Sequence, residues 1–129
     1  MQARRIGLLG LATGALAAAA LAGTPAMAAD AANGQKVFRQ CQACHVVDKE
    51  QNKVGPHLVG IIGREAGTVA GFNYSPAMAN SGITWNTDTI AAYLADPRGY
   101  VNGNRMAFAG LRKPEDIADV IAYLENAGS

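Results

Sequence analysis

The chain is poor in the residues that would support several ordinary functions. It has only two cysteines, Cys41 and Cys44, and only two histidines, His45 and His57. Two cysteines three positions apart cannot build a disulfide framework, and a tetrahedral zinc site would need two more soft ligands when only His57 is left over. Charge is sparse, at 16% Asp, Glu, Lys and Arg, and nearly balanced, with 11 cations against 10 acids. Nucleic-acid binding, which needs a clustered basic face, is therefore excluded as an expectation. No alternating apolar and polar run of useful length marks a strand, and no internal repeat is present. At 129 residues there is room for one domain and a short extra segment, but not for two domains.

The extra segment lies at the N-terminus. Arg4 and Arg5 precede an apolar stretch over residues 6–21, and Ala26-Met27-Ala28 follows. A cationic patch, a short hydrophobic run and a small-x-small site read as a secretory signal peptide over residues 1–28, cleaved after Ala28. An uncleaved membrane anchor is the competing reading; it is disfavoured by the Ala- and Gly-rich run and the cleavage motif. The arginine pair is ordinary for such a leader and says nothing about the export route. Cleavage leaves 101 residues, 29–129, with 9 cations against 10 acids, so steering by net charge alone is not expected.

Within residues 29–129 the helical signals are few. Val37, Phe38 and Cys41 have helical spacing and predict a helix over 33–43. Ser75-Pro76 predicts a brief helical turn, and Asn86-Thr87-Asp88 supplies capping chemistry for a helix over 87–96 that stops before Pro97. The last element is the clearest: Pro114, Glu115 and Asp116 open it, and Ile117, Val120, Ile121 and Leu124 recur at i, i+3, i+4 and i+7 up to about residue 126. Residues 46–74, punctuated by Gly55, Gly60, Gly63, Gly67 and Gly71, and residues 97–112 are expected to be loop. The fold class is all-α, three or four helices with long connections. A domain of this size buries only about 60–70% of its unfolded surface, so loops this long need something to wrap around.

Cys41-Gln42-Ala43-Cys44-His45 supplies it. CxxCH is the attachment signature of c-type haem. Thiols at i and i+3 share one face of a helical turn and can add to the two vinyl groups of one porphyrin, which holds His45 beneath the iron. A thioredoxin-like CxxC would need a βαβ setting, which is absent. The sixth iron position separates a carrier from a haem enzyme or gas sensor: a Met thioether closes it, and an open site permits ligand chemistry. Met1 and Met27 belong to the leader, so Met78 and Met106 remain. Met106 lies in a glycine-flanked loop, Asn102 to Gly110, suited to covering a haem face.

Taken together, the chain resembles the class I cytochromes c of the mitochondrial and bacterial periplasmic kind over nearly all of residues 29–129. The resemblance rests on Gly34 and Phe38, Cys41 to His45, Lys53-Val54-Gly55-Pro56, Gly63-Arg64, Gly71-Phe72-Asn73-Tyr74, Gly82-Ile83-Thr84-Trp85, Tyr93-Leu94, Met106 to Gly110 and Ile121-Ala122-Tyr123-Leu124. It implies one covalent haem c held through Cys41 and Cys44, with His45 and Met106 as iron ligands. It implies further that the Pro56 carbonyl accepts a hydrogen bond from His45 and that the Tyr93 hydroxyl points at the Met106 sulfur. Arg64, Tyr74 and Trp85 are implied to hold a haem propionate, and Gly34 and Phe38 to pack against Tyr123 and Leu124.

The implied function is outer-sphere electron transfer by a periplasmic monomer that is not an enzyme. The implied partners are redox proteins: a membrane cytochrome complex, an oxidase, a reaction centre or a periplasmic dehydrogenase. Neither nucleic-acid binding nor stable membrane insertion is expected. Four features depart from the family pattern. Asn102 and Asn104 replace the usual Pro and Thr, which predicts a less stiff loop; Met78 stands where Asn is common; and lysines are few. His57 has no matching role and is expected to be a surface residue.

Overall fold

The computed structural model describes residues 7, 10–17 and 28–127. Arg4, Arg5, most of the expected leader and the Ala26-Met27 half of the cleavage motif lie outside the described residues. Residues 10–17 have no regular secondary structure, and Leu11 and Leu16 are 93% and 99% exposed. Among the described residues no helix is long and apolar enough to cross a membrane.

The described residues form five helices: α1 (Ala31–Phe38), α2 (Pro76–Ala79), α3 (Thr87–Ala95), α4 (Pro97–Tyr100) and α5 (Pro114–Ala127). Among the described residues the only β pairing is one antiparallel bridge between Glu65 and Thr84. The Asp30 carboxylate caps α1 by accepting from the amides of Ala32 and Asn33 at 2.9 and 3.1 Å. α1 starts earlier and ends sooner than the 33–43 that periodicity predicts. After Phe38 the backbone tightens: Gln40 donates to Val37 O, and Cys41 to Phe38 O at 2.7 Å. Cys44 then donates to Cys41 O at 3.0 Å, so the two thiols still bracket one turn.

α3 carries a reciprocal cap. The Asn86 side chain accepts from Thr89 N at 2.9 Å, and Thr89 Oγ1 accepts from Asn86 N at 2.8 Å. The stretch 97–112, expected to be all loop, opens with α4. Asp96 caps this helix through Gly99 N at 3.0 Å, and Pro97 sits in its first turn. Pro97 thus both ends one helix and starts the next, because a proline that cannot continue α3 is well suited to an N1 position.

α1 and α5 cross at Gly34, which is buried. A Cβ there would fall on the Asp119 carbonyl and come within 2.9 Å of Tyr123 Cβ, so only glycine permits the approach. Beside this crossing the Phe38 and Tyr123 rings pack with centroids 5.3 Å apart. Asp119 fastens the contact from the α5 side, accepting from Asp30 N and Asn33 Nδ2, both at 2.7 Å. Val120, 1% exposed, Ile121 and Leu124 of α5 continue into a core with Val37, Ile61, Trp85, Ile90 and Tyr93. Gly34→Ala is expected to lower stability by about 1–3 kcal/mol through overpacking at the crossing. A reduced urea midpoint with an unchanged slope is the measurement that checks it.

Candidate functional site

The core does not close on itself. Phe38, Ile61, Trp85, Ile90, Val120 and Leu124 form part of the wall of a cavity of about 360 Å³, within the range of small-molecule and cofactor sites. The wall is mostly apolar, and every residue singled out for the site belongs to it: Cys41, Cys44, His45, Pro56, Arg64, Tyr74, Trp85, Tyr93 and Met106.

His45 follows directly from the turn that brings Cys41 and Cys44 together. Its Nδ1 lies 2.7 Å from the Pro56 carbonyl oxygen. A carbonyl only accepts, so Nδ1 carries the proton and Nε2 keeps a free lone pair. Burial holds the imidazole pKa below its ordinary value. The bond to Pro56 opposes this, and the charges of Arg64 and Lys53 add to it. The ring is therefore neutral near pH 7 and able to ligate a metal. Gly55 makes room: a Cβ there would collide with the His45 ring. The Cys41 thiol is pushed up, mainly by burial and then by Cys44. A thiol-exchange enzyme needs the reverse, a thiolate stabilised at neutral pH.

Met106 sits on residues 104–108. Its Sδ accepts from the Tyr93 hydroxyl at 3.8 Å. Burial pushes the Tyr93 pKa up to about 12, so the hydroxyl keeps its proton and remains a donor. Trp85 packs on the same tyrosine with ring centroids 5.1 Å apart. Asn104 ties the segment down: its Oδ1 accepts from Met106 N at 2.8 Å, and its Nδ2 donates to Pro97 O and Val101 O at 2.8 and 2.9 Å. The expectation of a less stiff loop is corrected at this position, because an amide offers both a donor and an acceptor to the backbone. Asn102 is exposed. Met78, half-buried in α2, lines the cavity as well.

Arg64 is half-buried, with burial lowering its pKa and Tyr74 opposing that shift. Its Nη1 donates to Val59 O at 3.2 Å and its Nη2 to His57 O at 3.0 Å. Its Nε is buried without a partner, a donor on a cavity residue with nothing to receive it. Arg64 is positioned by pairing of residues 63–66 with 83–85: Trp85 N donates to Arg64 O at 2.8 Å, and Ala66 N to Ile83 O at 2.7 Å. The Tyr74 hydroxyl accepts from Val69 N at 3.1 Å and retains its own proton for another partner. His57 is not the surface residue expected: it is half-buried and bonded through backbone and ring.

Two thiols one turn apart, a neutral imidazole with a free lone pair, a thioether, an unpaired buried donor and apolar walls fit a flat apolar prosthetic group carrying a metal and anionic arms. This donor set defines a small helical domain built around a covalently attached haem. The cytochrome c family model matches residues 31–128, and the chain belongs to that family.

Cytochrome c2 iso-2 of Magnetospirillum fulvum is 52% identical over 95 residues, which are 74% of this chain and 99% of that protein. Cytochrome c 2.1 of Caenorhabditis elegans is 48% identical over 99 residues, 76% of this chain and 89% of that one. Among solved structures, cytochrome cH from Methylobacterium extorquens superposes with a TM-score of 0.71 at 43% identity, covering 74% of this chain and 97% of that one. The chain accordingly carries one haem c, attached through Cys41 and Cys44, and it is an electron carrier rather than an enzyme. Asn104→Ala, which removes three hydrogen bonds around Met106, is expected to cost about 2 kcal/mol. Amide exchange should quicken in residues 101–108 before the rest of the domain, which two-dimensional NMR checks.

Proposed function

We propose that His45, through Nε2, and Met106, through Sδ, would hold the haem iron, and that the carrier works by outer-sphere transfer. The observation that carries this reading is the matched pair of supporting contacts in one cavity, Pro56 O to His45 Nδ1 at 2.7 Å and Tyr93 Oη to Met106 Sδ at 3.8 Å. The first fixes the tautomer and orientation of the imidazole. The second directs the thioether and withdraws electron density from it.

The bound haem supplies the one-electron chemistry; the chain's residues hold it and exclude water. His45 and Met106, both on hydrogen-bonded supports, would hold the group with little freedom to rearrange. Arg64, Tyr74 and Trp85 would act as donors toward a haem propionate, with the unpaired Arg64 Nε as the free valence.

The leader over residues 1–28 directs the chain to the periplasm, where the 29–129 domain acts as a monomer. Its partners are redox proteins there or at the membrane: a cytochrome complex, an oxidase, a reaction centre or a periplasmic dehydrogenase. Charge distribution supports a docking face despite the slight negative net charge. Residues 97–113, which include Met106, carry Arg98, Arg105, Arg112 and Lys113, all exposed, and no acid. The rest of residues 29–129 carries five cations and ten acids. An acidic partner surface is thereby oriented toward the Met106 side, in a brief contact burying less than about 1,200 Å².

The ferric spectrum tests the ligand assignment. Met106→Ala is expected to abolish the weak red band that Met–iron bonding gives, whereas Met78→Ala leaves it in place. The opposite pattern would overturn the assignment.

A further inference from the structure

The geometry points to His57 as a positioning residue for Arg64: its imidazole sets the spacing of the two carbonyls on which the guanidinium rests. The inference builds on the proposed reading that Arg64 faces a haem propionate. The carbonyls in question belong to His57 and Val59, which receive Arg64 Nη2 and Nη1 at 3.0 and 3.2 Å. These two residues are linked by the His57 side chain, whose Nδ1 accepts from Val59 N at 3.2 Å.

A ring nitrogen that accepts carries no hydrogen, so in this arrangement the lone pair of Nδ1 faces the Val59 amide. The His57 peptide is held from its other end by Asn52, whose Oδ1 accepts from His57 N at 3.1 Å. Asn52 Nδ2 in turn donates to Ala70 O at 3.1 Å, tying the turn to the segment that leads to Tyr74.

A guanidinium is a rigid planar fork. With both terminal nitrogens committed to carbonyls two residues apart, the direction of Nε follows from where those carbonyls stand. Release of the imidazole bond frees Val59 relative to His57, lets the fork tilt and loosens Nε, a buried side-chain donor without a protein partner among the described residues. A cation held beside the haem favours the form with one more electron, so loosening it lowers the reduction potential.

Midpoint potentials of the holoprotein test this. His57→Phe keeps ring bulk without an acceptor, and His57→Asn keeps an acceptor that can reach the amide two residues on, as in an Asx turn. Arg64→Ala is expected to lower the potential, His57→Phe to lower it by a smaller amount, and His57→Asn to stay at the wild-type value. In the Arg64→Ala background His57→Phe should produce no further shift, and in the single variant the Val59 amide should exchange faster.

A wild-type potential for His57→Phe, equal shifts for Phe and Asn, or a His57→Phe shift that persists without Arg64 would each overturn the inference. An unchanged potential in Arg64→Ala marks a different failure: the reading of Arg64 as a haem contact falls, and the inference falls with it.

Discussion

The architecture depends on the haem that Cys41 and Cys44 tether inside the core. Ile90, Val120 and Leu124 present themselves to a shared cavity, and the loops at 46–74 and 101–113 complete its wall. An apolar void of this size forfeits contact energy on every face that lines it, and water there would find few partners. A flat hydrophobic group fixed to the chain supplies those contacts and gives long, glycine-rich loops a surface on which to order.

Around that requirement the chain builds two kinds of support. One is local in sequence: the turn after α1 presents both thiols and His45, while ten and eleven residues on Gly55 clears space for the ring and the Pro56 carbonyl accepts its hydrogen bond. The other is assembled from distant parts. Met106 needs Tyr93 from α3 and the Asn104 clamp to α4, and Arg64 needs the pairing with residues 83–85 and the His57–Val59 turn. A neutral His45 and a protonated Tyr93 follow from the same burial, which penalises the imidazolium and the phenolate alike.

These two kinds of support explain what could be read in the sequence. CxxCH, the period of α5 and the cap of α3 are written in contiguous residues, so their chemistry is visible without a fold. The family resemblance then carried Pro56, Arg64, Tyr74, Trp85, Tyr93 and Met106 to one cavity. Less was visible where backbone carbonyls do the binding. Nothing in the residue type of His57 reveals that Val59 N bonds its ring or that Arg64 rests on its carbonyl, and Asn104 looked like the loss of a stiffer residue until its amide was seen bridging α4 and Met106. The early end of α1 and the existence of α4 were also hidden, the first because tightened turns preserve helical spacing, the second because Pro97 serves two helices at once.

The dependence of the fold on its prosthetic group is tested most directly by far-ultraviolet circular dichroism of the haem-free Cys41→Ala/Cys44→Ala variant. Without the group to wrap around, the chain should show little stable helix and no cooperative thermal transition. A helical spectrum matching that of the haem-bound protein would contradict the account.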